Sequence, residues 1–358
     1  MNISTLFKIM VEKEASDLYL RTKAFPRARV QGKVEVIYPE PLSKQDILAM
    51  TNLLLATEQQ QKKFRDNLDI DFIHDESEIG RFRINIFTQR GTPAIVARHV
   101  HRHVKTFQEL NLPAELLKSF CQESKGLFLA CGPAGSGKST MIASMIEYMN
   151  VTNPRHVITL EDPVEFLFED KKCLINQREL GIDVLSYPAA LKHVNQQSPD
   201  VIYIGNIRDV ETMQAAITST ELGTFVLSTF HTINAIQTII RMVNFFPPYL
   251  HDEVRNQLSL LLKGTVSLRL IPHKDGHGRV PAYETMVVTP TIAGLIREGH
   301  IGDIQKYIDQ GKLFGMQSFK QSLVHLVQSG LVHAEDARQH ADSKDEFDLA
   351  LKGIKSDF

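Results

Sequence analysis

The eight residues Gly132-Pro133-Ala134-Gly135-Ser136-Gly137-Lys138-Ser139 restrict this chain more than any other stretch, because they suit one backbone geometry and few others. Before them, GLFLAC (126–131) is uninterruptedly apolar, as a strand buried on both faces requires. After them, apolar residues at 141, 142, 145, 146 and 149 keep the spacing of a helix. In a strand–turn–helix of this kind the glycines let successive N–H groups turn inward around a polyphosphate, and the helix start adds the positive end of its dipole. In the pattern G-x-x-x-x-G-K-[ST], Lys138 reaches toward the β and γ phosphates and Ser139 toward Mg²⁺, with Thr140 next on the first helical turn. A glycine-rich turn that binds nothing has no need of Lys-Ser after its last glycine, so ATP with Mg²⁺ is the favoured ligand.

The surrounding text divides into segments. Residues 1–100 alternate short strand-like runs with helical stretches, and Ser43 with Asp46 has the spacing of a capping box ahead of a helix near Lys44. This reads as a small α+β domain. RHVHRHVKTFQELNLPA (98–114) is basic, histidine-rich and aperiodic, and a linker is assigned to 101–117. From 118 to 290, short apolar runs (GLFLAC, HVITL, DVIYIG, TFVLST) alternate with helical patterns, the rhythm of a parallel sheet covered on both faces. Residues 291–358 turn helical, with a second capping-box spacing from Ser318 to Gln321.

Charge and composition exclude several classes. Forty Lys and Arg against 42 Asp and Glu leave a net charge of −2, which offers no polyanion track and argues against a nucleic-acid partner. Three cysteines (Cys121, Cys131, Cys173) form no C-x-x-C pair, against both a disulfide framework and a structural zinc. No run of 18 apolar residues occurs, so no membrane insertion is expected and a cytoplasmic location fits.

A nucleotide site draws further polar groups from the C-terminal ends of neighbouring strands. HVITLEDPVEF delivers Glu161 and Asp162 where the chain leaves a strand; they either hold Mg²⁺ and orient water, or cap the next turn. SPDVIYIGNIRD ends a second strand at Asn206, a position where P-loop ATPases place an acidic residue. TFVLSTFHT ends a third at His231, which is either within reach of a γ-phosphate or a buried histidine bonded to a carbonyl. Arg81 and Arg83, two apart on a strand, share one face while Phe82 and Ile84 take the other. His99, His101 and His103 would also share a face if extended, but no carboxylate or cysteine completes a metal-ligand set.

Together these boxes resemble the PilT/PilU family of type IV pilus retraction ATPases, within the secretion ATPase superfamily. The resemblance spans nearly the whole chain: SDLYL and RVQGKV near the start, IGRFRINIFTQRG, the P-loop, LEDPVEF, DVIYIGNIRD, STFHT, RLIP, TIAGLIREG and FGMQSFKQSLVHLVQSG follow in the family's order. The ending ADSKDEFDLALKG is closer to the PilU branch. Extension and secretion ATPases of the superfamily usually carry an extra N-terminal domain and a tetracysteine motif, and this sequence has neither pattern.

The resemblance implies a PAS-like N-terminal domain, a RecA-like P-loop domain and a helical tail, assembled as a homo-hexamer. It implies ATP hydrolysis driving pilin disassembly, with a paralogous retraction ATPase and an inner-membrane platform protein as partners at the pilus base. It implies that Arg81 and Arg83, joined by Arg98, serve the γ-phosphate, often across a subunit boundary; a solvated strand face is the alternative. Three positions depart from the family pattern. Asn206 stands where a glutamate polarises the attacking water, Gln196 where an arginine precedes Pro-Asp, and Thr224 where the histidine box has its first histidine. An amide accepts no proton at neutral pH, so Asn206 predicts binding with weak turnover unless Glu161 or Glu165 takes over the water. The other functional reading is therefore a nucleotide-binding accessory subunit that docks on an active motor.

Overall fold

The computed structural model describes residues 2–30, 32–76, 79–100 and 104–354. They form two compact units: 1–103 with 165–167, and 104–164 with 168–358.

The first unit runs α1 (Ile3–Glu12), β1 (Asp17–Arg21), β2 (Arg27–Val30), β3 (Lys33–Val36), α2 (Lys44–Leu54), α3 (Glu58–Asn67), β4 (Asp69–Glu76), β5 (Gly80–Gln89) and β6 (Thr92–Val100). Its strands make an antiparallel sheet in the order β3-β2-β1-β6-β5-β4. Ser43 and Asp46 close the expected capping box at the start of α2. Alternation decides the faces: Phe82, Ile84 and Ile86 are fully buried, with Phe7 of α1 stacked on Phe82 at 4.1 Å between ring centres. The intervening Arg81 and Arg83 therefore share the opposite face.

The second unit runs α4 (Ala114–Cys121), β7 (Gly126–Cys131), α5 (Lys138–Thr152), β8 (His156–Glu161), β9 (Leu174–Glu179), α6 (Tyr187–Val194), β10 (Val201–Ile204), α7 (Val210–Glu221), β11 (Phe225–Phe230), α8 (Ala235–Asn244), α9 (His251–Leu261), β12 (Leu262–Pro272) and β13 (Arg279–Val287). The sheet order is β13-β12-β7-β11-β10-β8-β9, parallel throughout except for β13, which is antiparallel to β12. The parallel rhythm expected from the sequence is thus completed by one antiparallel edge. Because helices cover both faces, the central strands are buried at every position. Met141, Ile142 and Met145 of α5 pack with Phe128, Ala130 and Tyr203 on one face. Leu191, Met213 and Ile239 of α6, α7 and α8 pack with Leu129, Ile158 and Ile202 on the other.

The remaining helices are α10 (Pro290–Glu298), α11 (Ile304–Gln310), α12 (Phe319–Gln328), α13 (Ala334–Gln339) and α14 (Lys344–Leu351). Ile292, Ile296, Ile304 and Ile308 join the core on the α6–α8 side, while Phe319, Leu323 and Phe347 cover Ile271, Val280 and Ala282 at the far end of β12 and β13. Arg269 stacks over the Phe319 ring at 3.8 Å and donates to the His340 carbonyl and to Asp342, each at 2.7 Å. No helix among the described residues is long and apolar enough to cross a membrane.

Glu284 of β13 is 3% exposed and accepts the Ala235 N–H that opens α8, at 2.8 Å. Burial pushes its carboxyl up to about 7, against the Ala235 N–H; Asp342 adds to the rise, Arg269 opposes it and Asp309 adds to it again. The folded state therefore holds this proton more tightly than the unfolded chain, whose ordinary value is 4.5. The resulting stability is complete below the unfolded value and is lost as pH rises through 7, by up to about 3 kcal/mol. Glu284→Gln keeps the acceptor and removes the charge. Urea midpoints should then fall less between pH 5 and pH 8 than in the parent protein, and equal slopes would show that Glu284 does not titrate there.

Candidate functional site

The chain leaves β7 at Cys131 and turns through the glycine-rich loop into α5. Gly132 (φ +141°), Gly135 (φ +74°) and Gly137 (φ +96°) all adopt positive φ, and Gly137 is the residue that caps α5. At Gly132 space as well as φ is decisive: a Cβ would lie 2.5 Å from Ser136 Oγ and 2.7 Å from the Leu268 carbonyl oxygen. Pro133, Ala134 and Gly135 form the exposed crest, while Ser139 and Thr140 are half-buried in the first turn of α5. Lys138 is 6% exposed, and its ammonium folds back to donate to the carbonyls of Gly132 and Pro133, each at 2.8 Å. Ser136 is buried, and its Oγ has no hydrogen-bond partner. A buried orphan hydroxyl and a lysine satisfied by its own loop are what a cradle shaped for phosphate oxygens presents.

Sheet order brings the other candidates to the same rim. β11 lies beside β7, with Phe230 paired to Cys131, so His231 emerges next to the loop and its Nδ1 stands 3.5 Å from Lys138 Nζ. The imidazole is exposed, which excludes the buried-histidine reading. Its pKa is lowered, first by partial desolvation and then by Lys138, Arg208 and Arg241, so the ring is neutral at pH 7. β10 follows β11, and Asn206 lies just past its end, 6% exposed with Oδ1 unpartnered. β8 comes next. Glu161 at its end is 6% exposed and accepts from Thr159 Oγ1 at 2.6 Å and Gln177 Nε2 at 3.1 Å. Asp162 faces Arg208, with 3.8 Å between guanidinium nitrogen and carboxylate oxygen. One rim thus gathers an ammonium, an imidazole, a guanidinium, two carboxylates and an amide.

A family model described as Type II/IV secretion system protein matches residues 2–338. The chain belongs to this family. Along its full length it is 38% identical to the type IV pilus ATPase PilU of Pseudomonas aeruginosa, covering 93% of that protein. It is 39% identical to the retraction ATPase PilT of the same organism, over 97% of this chain and all of PilT. A crystal structure of the pilus retraction motor PilT with bound ADP shares the fold at TM-score 0.88 and 37% identity, covering 97% of this chain and 98% of that one. The DotB ATPase of Legionella pneumophila, 22% identical, shares the fold at TM-score 0.80 over 99% of this chain and 97% of its own. As expected from the sequence, the chain belongs with the pilus retraction ATPases PilT and PilU as an α/β protein, with an antiparallel N-terminal sheet, a P-loop sheet and a helical C-terminus.

In this member of the family the three candidate arginines meet on one face of the N-terminal sheet. Arg83 is paired across strands with Arg98, and Arg98 with Asp17. Each arginine is held by a carboxylate: Arg83 Nε by Asp71 at 2.9 and 3.0 Å, Arg98 Nε by Asp17 at 3.0 Å, and Arg81 more loosely by Asp75 at 3.8 Å. Arg83 and Arg98 are fixed in this way by hydrogen bonds, while Arg81 is beyond hydrogen-bond range of Asp75. His99 sits on the other face against Phe82, 5.3 Å between ring centres, while His101 and His103 lie outside the described residues.

Two of the three departures from the family pattern lie away from the rim. Gln196 precedes β10 and Thr224 precedes β11, so both stand at the N-terminal ends of their strands, about 20 Å along the sheet from this chain's own phosphate loop. Only Asn206 among the three departures lies at the rim. Two rim residues escaped the sequence reading: Arg208, inside a quoted strand but not singled out, and Tyr187 at the start of α6, which no motif marks.

Proposed function

We propose that this protein is a Mg-ATP-hydrolysing motor that assembles as a homo-hexamer and powers or assists type IV pilus retraction. What carries the reading is the coincidence of a complete phosphate cradle and its polar rim in one chain that matches pilus retraction ATPases end to end. The donor set suits the ligand: the loop N–H groups and Lys138 take the phosphates, and Ser139 with Glu161 would hold Mg²⁺, which neutralises charge across the β and γ oxygens when bound. Lys138 must then leave the carbonyls of Gly132 and Pro133, and Arg208 and His231 flank the phosphate that departs. Arg81, Arg83 and Arg98 supply further cations from the N-terminal unit, whether of the same or a neighbouring subunit.

In this reading residues 1–100 are a PAS-like domain, 101–117 a linker, 118–290 the RecA-like motor and 291–358 its helical tail. Nucleotide-driven rotation about the linker is passed to pilin disassembly in the cytoplasm, through an inner-membrane platform protein and beside a paralogous motor. A specific observation favours the second reading, a hydrolysis-poor accessory subunit: the amide of Asn206 occupies the rim where the family resemblance places a glutamate. Light scattering at micromolar protein with Mg-ATP, with phosphate release from the same sample, tests both. A hexamer that releases phosphate supports the motor, a hexamer that binds nucleotide without release supports the accessory subunit, and a monomer under all conditions overturns both.

A further inference from the structure

Tyr187 is the first residue of α6 and approaches the rim from the face of the sheet opposite α5. Its side chain packs in the core with Leu160, Leu191 and Ile204, and the residue is 8% exposed. The hydroxyl is buried and has no hydrogen-bond partner. A buried unpaired hydroxyl is costly, and phenylalanine would fill the same volume without that cost, so packing gives no reason for a tyrosine here.

The surroundings supply one. A Cβ on Gly205 would come within 3.1 Å of Tyr187 Oη and 3.2 Å of the Leu160 carbonyl, so the absent side chain at the end of β10 is what admits the phenol. Tyr187 ionises less readily than a free phenol, through burial first and then through the charge of Asp162; Arg208 opposes this and Glu161 adds to it. The phenol is therefore an O–H donor at neutral pH, placed among the acidic residues of the rim. Asp162 meanwhile has a loose partner: Arg208 is 3.8 Å away, beyond hydrogen-bond range, and its side chain is 62% exposed and free to turn.

We propose that Tyr187 is a positioning residue of the hydrolytic site, its O–H donating to the Asp162 carboxylate when Arg208 leaves that carboxylate for the bound nucleotide. The exchange keeps Asp162 oriented while the guanidinium moves to the phosphates, and it gives the orphan hydroxyl a partner only in the nucleotide-loaded state. This inference rests on the nucleotide-hydrolysing reading above.

The test is Tyr187→Phe in the full chain, read by thermal midpoint, affinity for Mg-ADP, affinity for Mg-ADP with aluminium fluoride as a transition-state mimic, and steady-state kcat and KM for Mg-ATP. Expected are a midpoint equal to or above the parent's, unchanged ADP affinity and KM, and a roughly tenfold loss in both kcat and aluminium fluoride affinity. A merely structural tyrosine would lower the midpoint and ADP affinity together, which overturns the proposal. Unchanged kcat and unchanged aluminium fluoride affinity would do so as well. If the parent turns over no ATP, the motor reading fails by itself, and the ratio of aluminium fluoride to ADP affinity still decides the role of Tyr187. A parent that binds neither probe overturns both readings.

Discussion

Asn206→Glu raises steady-state Mg-ATP hydrolysis about a hundredfold over the parent chain, while Lys138→Ala stays at background in either context. The expectation follows from where Asn206 lies. Its side chain is buried just beyond β10, on the rim that carries Lys138, His231 and Arg208, and its Oδ1 has no partner to lose. An amide orients water but accepts no proton, whereas a carboxylate does both, and general-base assistance is worth about 10²–10⁴ in rate. The cations at this rim offset the cost of burying the new charge. Glutamate is one methylene longer, and overpacking costs about 1–3 kcal/mol, so Asn206→Asp serves as the volume-matched companion and is expected to change in the same direction. Phosphate release and Mg-ADP affinity are measured together. Unchanged turnover with intact ADP affinity in both variants would show that residue 206 does not limit the reaction, leaving Glu161 or Glu165 as the group that handles the water.

Gly264→Ala lowers stability by about 3 kcal/mol, and the thermal midpoint by roughly 10 °C. Gly264 lies near the start of β12, between the P-loop strand and β13, where a Cβ would come 2.4 Å from Phe120 Cζ and 2.5 Å from the Met286 carbonyl oxygen. The ring could turn, but the carbonyl belongs to the paired strand and moves only with the ladder. Gly294 is the matched control. It sits inside α10 with nothing within 4 Å of its Cβ, so alanine there should stabilise by about 0.5–1 kcal/mol through helix propensity. Urea denaturation of both variants separates the cases. Equal midpoints would mean that Phe120 and β13 yield without cost.

Local patterns carried much of this in one dimension. The apolar run 126–131 and the helical spacing after Ser139 mark β7 and α5 because burial on both faces and the 3.6-residue period leave direct traces. Ser43–Asp46 and Ser318–Gln321 mark helix starts because a cap is a three-residue interaction. The split between Arg81/Arg83 and Phe82/Ile84 follows from strand alternation alone. The antiparallel edge β13 was not legible, since pairing direction is set by a partner strand rather than by composition.

For the candidate site the division is equally physical. The identity of the phosphate loop, the acidic pair Glu161-Asp162, the histidine and the substitution at 206 are chemical facts of the sequence, and they determined which ligand class and which family to expect. Proximity was decided only by tertiary structure. Insertion of β11 between β7 and β10 sets His231 against Lys138, and places Gln196 and Thr224 at the far end of the same strands. Tyr187 belongs to the rim only because α6 starts where β8 and β10 end and Gly205 leaves room for a phenol. A contact of that kind joins residues 18 positions apart through packing, and packing has no periodic signature along a chain.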